Sequence, residues 1–408
     1  MIQPWILGSN LATSAKVVAA TDEAFQPASD LLRAHYPQFH PRSFAKSGQL
    51  YDGWETRRHN LQPPDSATIM LCCPTTVVGV DVCTANFSGN HSQAASVLGL
   101  LADETTSSNP RWVELLAPTE TNGNSSNLFD CIAQGPVIAV TLRMYPDGGI
   151  ARLRIYGHEH ESNALARPAP GLMSKISQIA SEKSRRLSSA EIATKREAYV
   201  AKVAATHELG VGKRVHLSVM IHDPPQPRET HPSSYSASSV DCTGLEEVAG
   251  LANGGKSIAC SNRHYSDSSN LIQGGRAVNM GDGWETRRAR AASVVDVVAL
   301  DGPVMQYQWA AFELSRTCCP VLIVIDTEWN PNNSPVCASV EWQCAEAGTE
   351  AMSVVTGDWK SLVPPSLLQP CAENTFHLPE QKISHLLIKT YPCGGLCRIK
   401  VFAAPQTH

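Results

Sequence analysis

Asp-Gly-Trp-Glu-Thr-Arg-Arg occurs twice in this chain, at residues 52–58 and again at residues 282–288. Each occurrence sets two adjacent guanidiniums, Arg57 with Arg58 and Arg287 with Arg288, close to a carboxylate, Glu55 or Glu285. A guanidinium is costly to desolvate alone, and its planar fork matches a carboxylate in bidentate geometry. Two readings follow. Either each pair is knitted into an internal ion network that pins the edge of a fold, or it clamps an anionic ligand. Both stay open at this level.

The elements that must hold these residues come next. Asp-Gly is a turn signal, and Trp and Thr after it suit a strand. On a strand Trp54, Thr56 and Arg58 share one face, with Glu55 and Arg57 on the other. A second phrase also recurs: Tyr145-Pro146-Asp147-Gly148-Gly149 leads into Arg152-Leu153-Arg154-Ile155, and Tyr391-Pro392-Cys393-Gly394-Gly395 leads into Arg398-Ile399-Lys400-Val401. Pro-Asp-Gly-Gly between alternating runs predicts a hairpin loop. Seven identical residues a domain's length apart, followed by a second matching phrase, indicate internal duplication.

Within each copy, short β-branched runs such as Ile69 to Leu71, Val77 to Val82 and Val321 to Ile325 are separated by Gly, Pro, Asn and Ser. No helical period interrupts them, which predicts an all-β sandwich for residues 10–157 and again for residues 250–403. Copy one carries extra residues between Ala34 and Gly48. Copy two carries an insertion between Ala289 and Gly302, and both read as loops. Residues 158–249 form a linker of another character. Ser188 and Glu191 make a capping box ahead of Ile192, Tyr199, Val200 and Val203 at helical spacing, which predicts a helix over residues 188–206. Pro224, Pro225 and Pro227 and a Ser-rich run to Ser239 predict an exposed, disordered stretch. His158, Glu159, His160 and Glu161 read as a solvated tail rather than a metal site, since no third ligand cluster accompanies them.

Composition narrows the function classes. With 408 residues there is room for two cores, and a net charge of −5 with 17% charged residues leaves no basic footprint for nucleic acid. No apolar run approaches the ~20 residues that span a bilayer. A secretory leader and a peroxisomal address are both missing from the ends, so a cytoplasmic protein is expected. The 13 cysteines are odd in number and irregularly spaced, with Cys72-Cys73 and Cys318-Cys319 inside apolar runs, which predicts reduced thiols acting as small hydrophobes.

The doubled heptapeptide, the Tyr-Pro-Asp-Gly-Gly phrase and the duplicated layout together resemble the allantoicase family, over roughly residues 10–157 and 250–403. The family's His-Asp-Trp appears as Pro64-Asp65-Ser66 and Tyr307-Gln308-Trp309, and its Gly-Asn as Gly89-Asn90 and Asn332-Asn333. The resemblance implies two tandem jelly-roll (galactose-binding-like) β-sandwiches and the hydrolysis of allantoate to ureidoglycolate and urea. Such a substrate needs a fork for its carboxylate, polar groups to read its ureido arms, and an acid–base set. The acid–base candidates are Glu55, Asp52, Asp22, Glu285 and Asp282, with His59 as a pH-matched alternative. The substrate-binding candidates are Trp54, Arg57, Arg58, Asn90, Asp147 and Arg152 with Trp284, Arg287 and Arg288. No covalent nucleophile stands out and no cofactor is implied. A divalent metal stays open, with no ligand cluster pointing to one. A small ureide is the expected partner, with no nucleic acid and no membrane, and a homo-oligomer is expected. The competing reading is a catalytically inactive pair of jelly rolls that binds a small polar ligand.

Overall fold

A computed structural model describes residues 3–41, 43–103, 110–160, 171, 174–178, 187–208, 220–221, 242–291, 293–299, 306–346 and 349–406. The chain divides into two compact units. One comprises residues 1–43, 50–192 and 290–302, the other residues 44–49, 193–289 and 303–408.

The first unit is organised by one long strand, Asp65–Cys83. Its first half pairs with Lys16–Ala20 and with Val137–Tyr145, which continues the sheet to Ala94–Leu101 and Trp112–Glu120. The register shifts between Met70 and Thr75, around Pro74, and the second half pairs instead with Arg152–Glu159 and Leu128–Asp130. One strand thus serves both layers of a sandwich, which is how sheets turn corners at bulges. Alternation sends Ala67, Ile69 and Leu71 into the main core with Val80, Val82, Val97, Leu142 and Ile155. Met70 points the other way, into a smaller cluster with Leu100, Ile138 and Ile176, so this strand's centre is apolar on both faces.

The second unit repeats the plan. Gln308–Cys318 lies between Lys256–Cys260 and Ile383–Tyr391, which continues to Cys337–Gln343 and Lys360–Leu367. The opposing layer pairs Pro320–Asp326 with Arg398–Ala403 and Glu373–His377. The strand that runs unbroken in copy one is interrupted at Cys319 in copy two. The expected all-β duplication therefore appears as two sandwiches with matching strand order.

Several expectations need correction. The heptapeptide strand is only two residues long, Trp54–Glu55 and Trp284–Glu285, because each pairs with the equally short Gly149–Ile150 or Gly395–Leu396. The insertion after Ala289 is not all loop: Val294–Ala299 is helical. The compact units also cut across the two copies, since residues 290–302 group with the first unit and 44–49 with the second. Packing explains the first of these. The Gln93 side chain donates to Ala291 O at 2.8 Å and accepts from Ala291 N at 2.9 Å, while Ala291 and Val294 pack on Ala94 and Tyr145.

The linker's helix spans Ser189–Glu208. Its capping box forms as expected: Ser188 Oγ accepts from Glu191 N at 3.3 Å, and Ser188 N donates to Glu191 Oε2 at 2.8 Å. Tyr199, Val200 and Val203 pack on Cys337 and Tyr391, and Arg196 caps Leu368 O at 2.6 Å, all in the second unit. The Pro- and Ser-rich stretch at residues 224–239 lies outside the described residues. All thirteen cysteines are free thiols.

Candidate active site

The heptapeptide is stitched to the Pro-Asp-Gly-Gly hairpin. Gly149 pairs with Glu55, Thr56 N donates to Gly148 O at 2.9 Å, and Gly148 N donates back to Thr56 Oγ1 at 3.2 Å. Gly148 has φ +147°, a conformation that only glycine adopts without strain, and a Cβ there would sit 2.6 Å from Ser92 N. A Cβ on Gly149 would meet the Phe87 ring at 2.1 Å. These close approaches bring Asp147 and Asn90 beside Glu55 and the arginines.

The carboxyls of copy one converge here. Asp22 accepts from Arg57 through both the backbone N–H, at 3.3 Å, and Nε. Asp147 Oδ2 accepts from Asn60 N at 3.2 Å. His59 sits at φ +60°, turning the chain after the arginines so that Asn60 N reaches Asp147. Asn90 Nδ2 donates to Glu55 Oε1 at 2.9 Å. Arg58 is 6% exposed, whereas the Arg57 side chain is 53% exposed.

Asp65 joins this group at the first residue of the long strand, on the same side as Ala67 and Ile69. Thr21 Oγ1 donates to its Oδ1 at 2.9 Å, and its Oδ2 is buried without a hydrogen-bond partner. Burial pushes its carboxyl up to about 7, and the neighbouring Asp147 and Asp22 carboxyls push in the same direction. Asn90 Oδ1 and Asn60 Nδ2 are likewise buried without partners. A buried polar atom left open costs free energy unless water or a ligand meets it.

Other expected site residues lie elsewhere. Trp54 and Trp284 are fully buried, each donating Nε1 to a backbone carbonyl, Asp22 O at 2.7 Å and Asn262 O at 2.8 Å. They anchor the heptapeptide in the core and present no surface to a substrate. Arg152 is also fully buried, and four of its N–H groups donate to His35 O, Asp52 O, Asp52 Oδ2 and Ala151 O, while the fifth faces His35 Nδ1 at 3.3 Å. Asp52 holds Arg33 and Gln38 N besides. Arg398 and Asp282 repeat this pair in copy two at 2.9 Å. With no donor to spare, Arg152 fastens the turn ahead of the heptapeptide instead of gripping a ligand. His160 Nε2 lies 2.8 Å from Thr76 Oγ1, and Glu159 accepts from Cys73, so these two members of the acidic–histidine run make strand-edge contacts, while Glu161 lies outside the described residues. Among the described residues, no three His, Cys, Asp or Glu side chains are placed to hold a metal ion.

Two further residues gather at this site. His91 follows Asn90, and burial pushes its imidazole down to about 4, with the Arg290 charge adding to the effect. Arg290 Nη2 lies 2.7 Å from His91 Nδ1. Arg290 could not be found by its position, because it belongs to the second copy's insertion. Asp65 left one signal, its alignment with Gln308 at the head of the matching strand.

Asp65 and His91 set opposing pH dependences on stability. The raised folded value of Asp65 means that its contribution is complete below the unfolded value of 3.8 and is lost as pH rises through about 7. The depressed value of His91 means the reverse: its contribution is present above 6.5 and is lost as pH falls towards about 4. Between about pH 4 and 6.5 the two offset each other. Asp65→Asn removes one arm, so calorimetry should show the variant's Tm falling more steeply than the wild type's on acidification from pH 6.5 to 4.5. Parallel curves would contradict the assignment.

Fold and site together define a duplicated β-sandwich protein whose first copy gathers several carboxyls about a pair of arginines. The family model described as the allantoicase repeat matches residues 9–160 and 246–406. The chain belongs to the allantoicase family. It is 29% identical over 400 residues to a probable allantoicase of Pseudomonas aeruginosa (strain LESB58), covering 96% of this chain and 93% of that one. A probable allantoicase of Streptomyces coelicolor is 29% identical over 426 residues, covering 98% and 86%. Among solved structures, the Saccharomyces cerevisiae allantoicase is 24% identical, covers 97% of this chain and 91% of its own, and gives a TM-score of 0.32. No described helix is long and apolar enough to cross a membrane.

Proposed function

We propose that the protein is an allantoicase, hydrolysing allantoate to ureidoglycolate and urea at the first copy's site. Family membership supports the reaction, and one observation supports the site. Only copy one sets Asp65, Asp147 and Asp22 around its arginines. Copy two has Gln308, Cys393 and Asn262 at the matching places. Arg57, half exposed and oriented by Asp22, takes the substrate carboxylate in its fork. Arg58, buried beneath, supplies fixed positive charge to the carboxyl cluster. The open Asn90 Oδ1 and Asn60 Nδ2 read a ureido N–H and C=O. The bond from the central carbon to one ureido nitrogen breaks, and that nitrogen takes the proton held by Asp65. Water adds to the carbon as its own proton passes to Asp147. A carboxyl whose value lies near 7 is matched to donating a proton at neutral pH. Glu55 holds Asn90 and the register of the hairpin. A homo-oligomeric, cytoplasmic enzyme needing no cofactor is the accompanying expectation.

The direct test is urea release from allantoate by the purified full chain, with ureidoglycolate as co-product in equal amount. Absence of urea under conditions where the chain is folded would return the protein to the class of inactive ligand-binding sandwiches.

A further inference from the structure

The second copy has lost its acids without losing its geometry. Asp22 and Asn262 are used alike: each carbonyl receives a Trp Nε1, and each side-chain Oδ1 accepts the backbone N–H of Arg57 or Arg287, at 3.3 and 3.4 Å. Each Oδ1 also accepts the N–H two residues on, from Ala24 or His264. Asp65 and Gln308 each accept a hydroxyl, Thr21 Oγ1 or Ser261 Oγ, at 2.9 Å. Asp147 Oδ2 and Cys393 Sγ each accept a backbone N–H just past the arginines, from Asn60 or Ala289, both at 3.2 Å. Glu285 keeps its amide partner, Asn333 Nδ2 at 3.0 Å, and Thr286 keeps both bonds to Gly394.

Each replacement thus preserves an acceptor and removes a charge. A copy that was merely decaying would lose its packing together with its chemistry. Here Arg288 stays buried, Thr286 is fully buried and Asn333 is 1% exposed. The consequence is electrostatic. Copy one sets four carboxyls (Asp22, Glu55, Asp65, Asp147) about two guanidiniums, and copy two retains only Glu285 of that set. Two guanidiniums with one of those carboxylates favour a monoanion, and without counterparts of Asp65 and Asp147 the copy lacks both the proton donor and the proton acceptor of the proposed reaction. Asn333 Oδ1 is buried without a partner, an acceptor placed for an N–H of whatever binds.

We infer that the second heptapeptide site binds a small ureido carboxylate without reacting it, so that each chain carries one catalytic and one purely binding site for the same ligand chemistry. Its ligand class rests on the function proposed above. Arg287 provides the fork, Asn333 Oδ1 takes a ureido N–H, and the neutral Asn262, Gln308 and Cys393 add no negative charge against the ligand's carboxylate.

The test combines turnover with binding. Urea release by wild-type chain reports on the proposed reaction alone. Allantoate is then titrated calorimetrically into the Asp65→Asn chain, which binds but turns over slowly. Two sites per chain are expected. Adding Asn262→Asp, an isosteric change that gives Arg287 the carboxylate partner Arg57 has, should weaken one site at least tenfold. Arg287→Ala should do the same. Glycolate, which has the carboxylate but no ureido arm, should bind this site at least tenfold more weakly than allantoate. Urea release with a single site in the Asp65→Asn chain overturns the inference and leaves the enzyme standing. So do two sites that both ignore Asn262→Asp and Arg287→Ala, and equal binding of glycolate overturns the ureido class. Without urea release the reaction fails, and the loss or retention of a site on Asn262→Asp still decides the binding question.

Discussion

Asp65→Asn should lower kcat for allantoate by roughly a hundredfold to ten-thousandfold, the range for removing a positioned general acid. The asparagine can still accept from Thr21 Oγ1, so the fold and KM should change little. What it loses is a proton to donate. The pH profile carries the sharper expectation. If the protonated carboxyl is the active form, kcat/KM of the wild type is level below about pH 7 and falls above it. Because Asp65 sits among Asp147 and Asp22, the midpoint belongs to the cluster and not to one residue. In Asp65→Asn the alkaline limb should vanish from the residual activity. A wild type whose activity rises through pH 7 would assign Asp65 as a base, and full activity in the variant would remove it from the mechanism.

The second large effect separates the two arginines of copy one. Arg57→Lys should cost ten- to a hundredfold in kcat/KM at unchanged Tm, because lysine keeps the charge but has no fork. Its side chain is half exposed, so little packing is disturbed. Arg58→Lys should behave differently. That side chain is buried, and shortening its donor array leaves acceptors unmet, at about 1–3 kcal/mol, so Tm and activity should fall together. The same lysine change at Arg287 should leave kcat untouched. Thermal denaturation and steady-state kinetics on the three variants resolve the choice between ion network and ligand clamp that the heptapeptide alone leaves open. If Arg57→Lys melts early with normal kinetics while folded, the fork is structural.

Duplication, the all-β class and the capping box of the linker helix were legible because they rest on local rules. Side-chain alternation, turn residues and an i to i+3 reciprocal cap act over a few neighbours, and repetition makes each signal visible twice. Glu55, Asn90, Asp147, Arg57 and Arg58 were legible as candidates for the same reason, since they lie in or beside the repeated phrases. Their division of labour was not. Trp54 and Arg152 carry chemistry-bearing groups, yet burial and saturated hydrogen bonds turn them into anchors. Asp65 was visible only as the middle residue of Pro64-Asp65-Ser66, where the family resemblance has His-Asp-Trp, and nothing local marked it as an acid. Its proton affinity arises because the strand places it on the core-facing side, paired with Met144 and so next to Asp147 in the hairpin that follows, a neighbour far off in sequence. Arg290 reaches His91 only because the second copy's insertion packs into the first unit, through the Gln93 amide and Ala94. Desolvation and the meeting of distant charges are properties of the packed chain. Residue type sets what a side chain can do, and its surroundings in the fold decide which of those things it does.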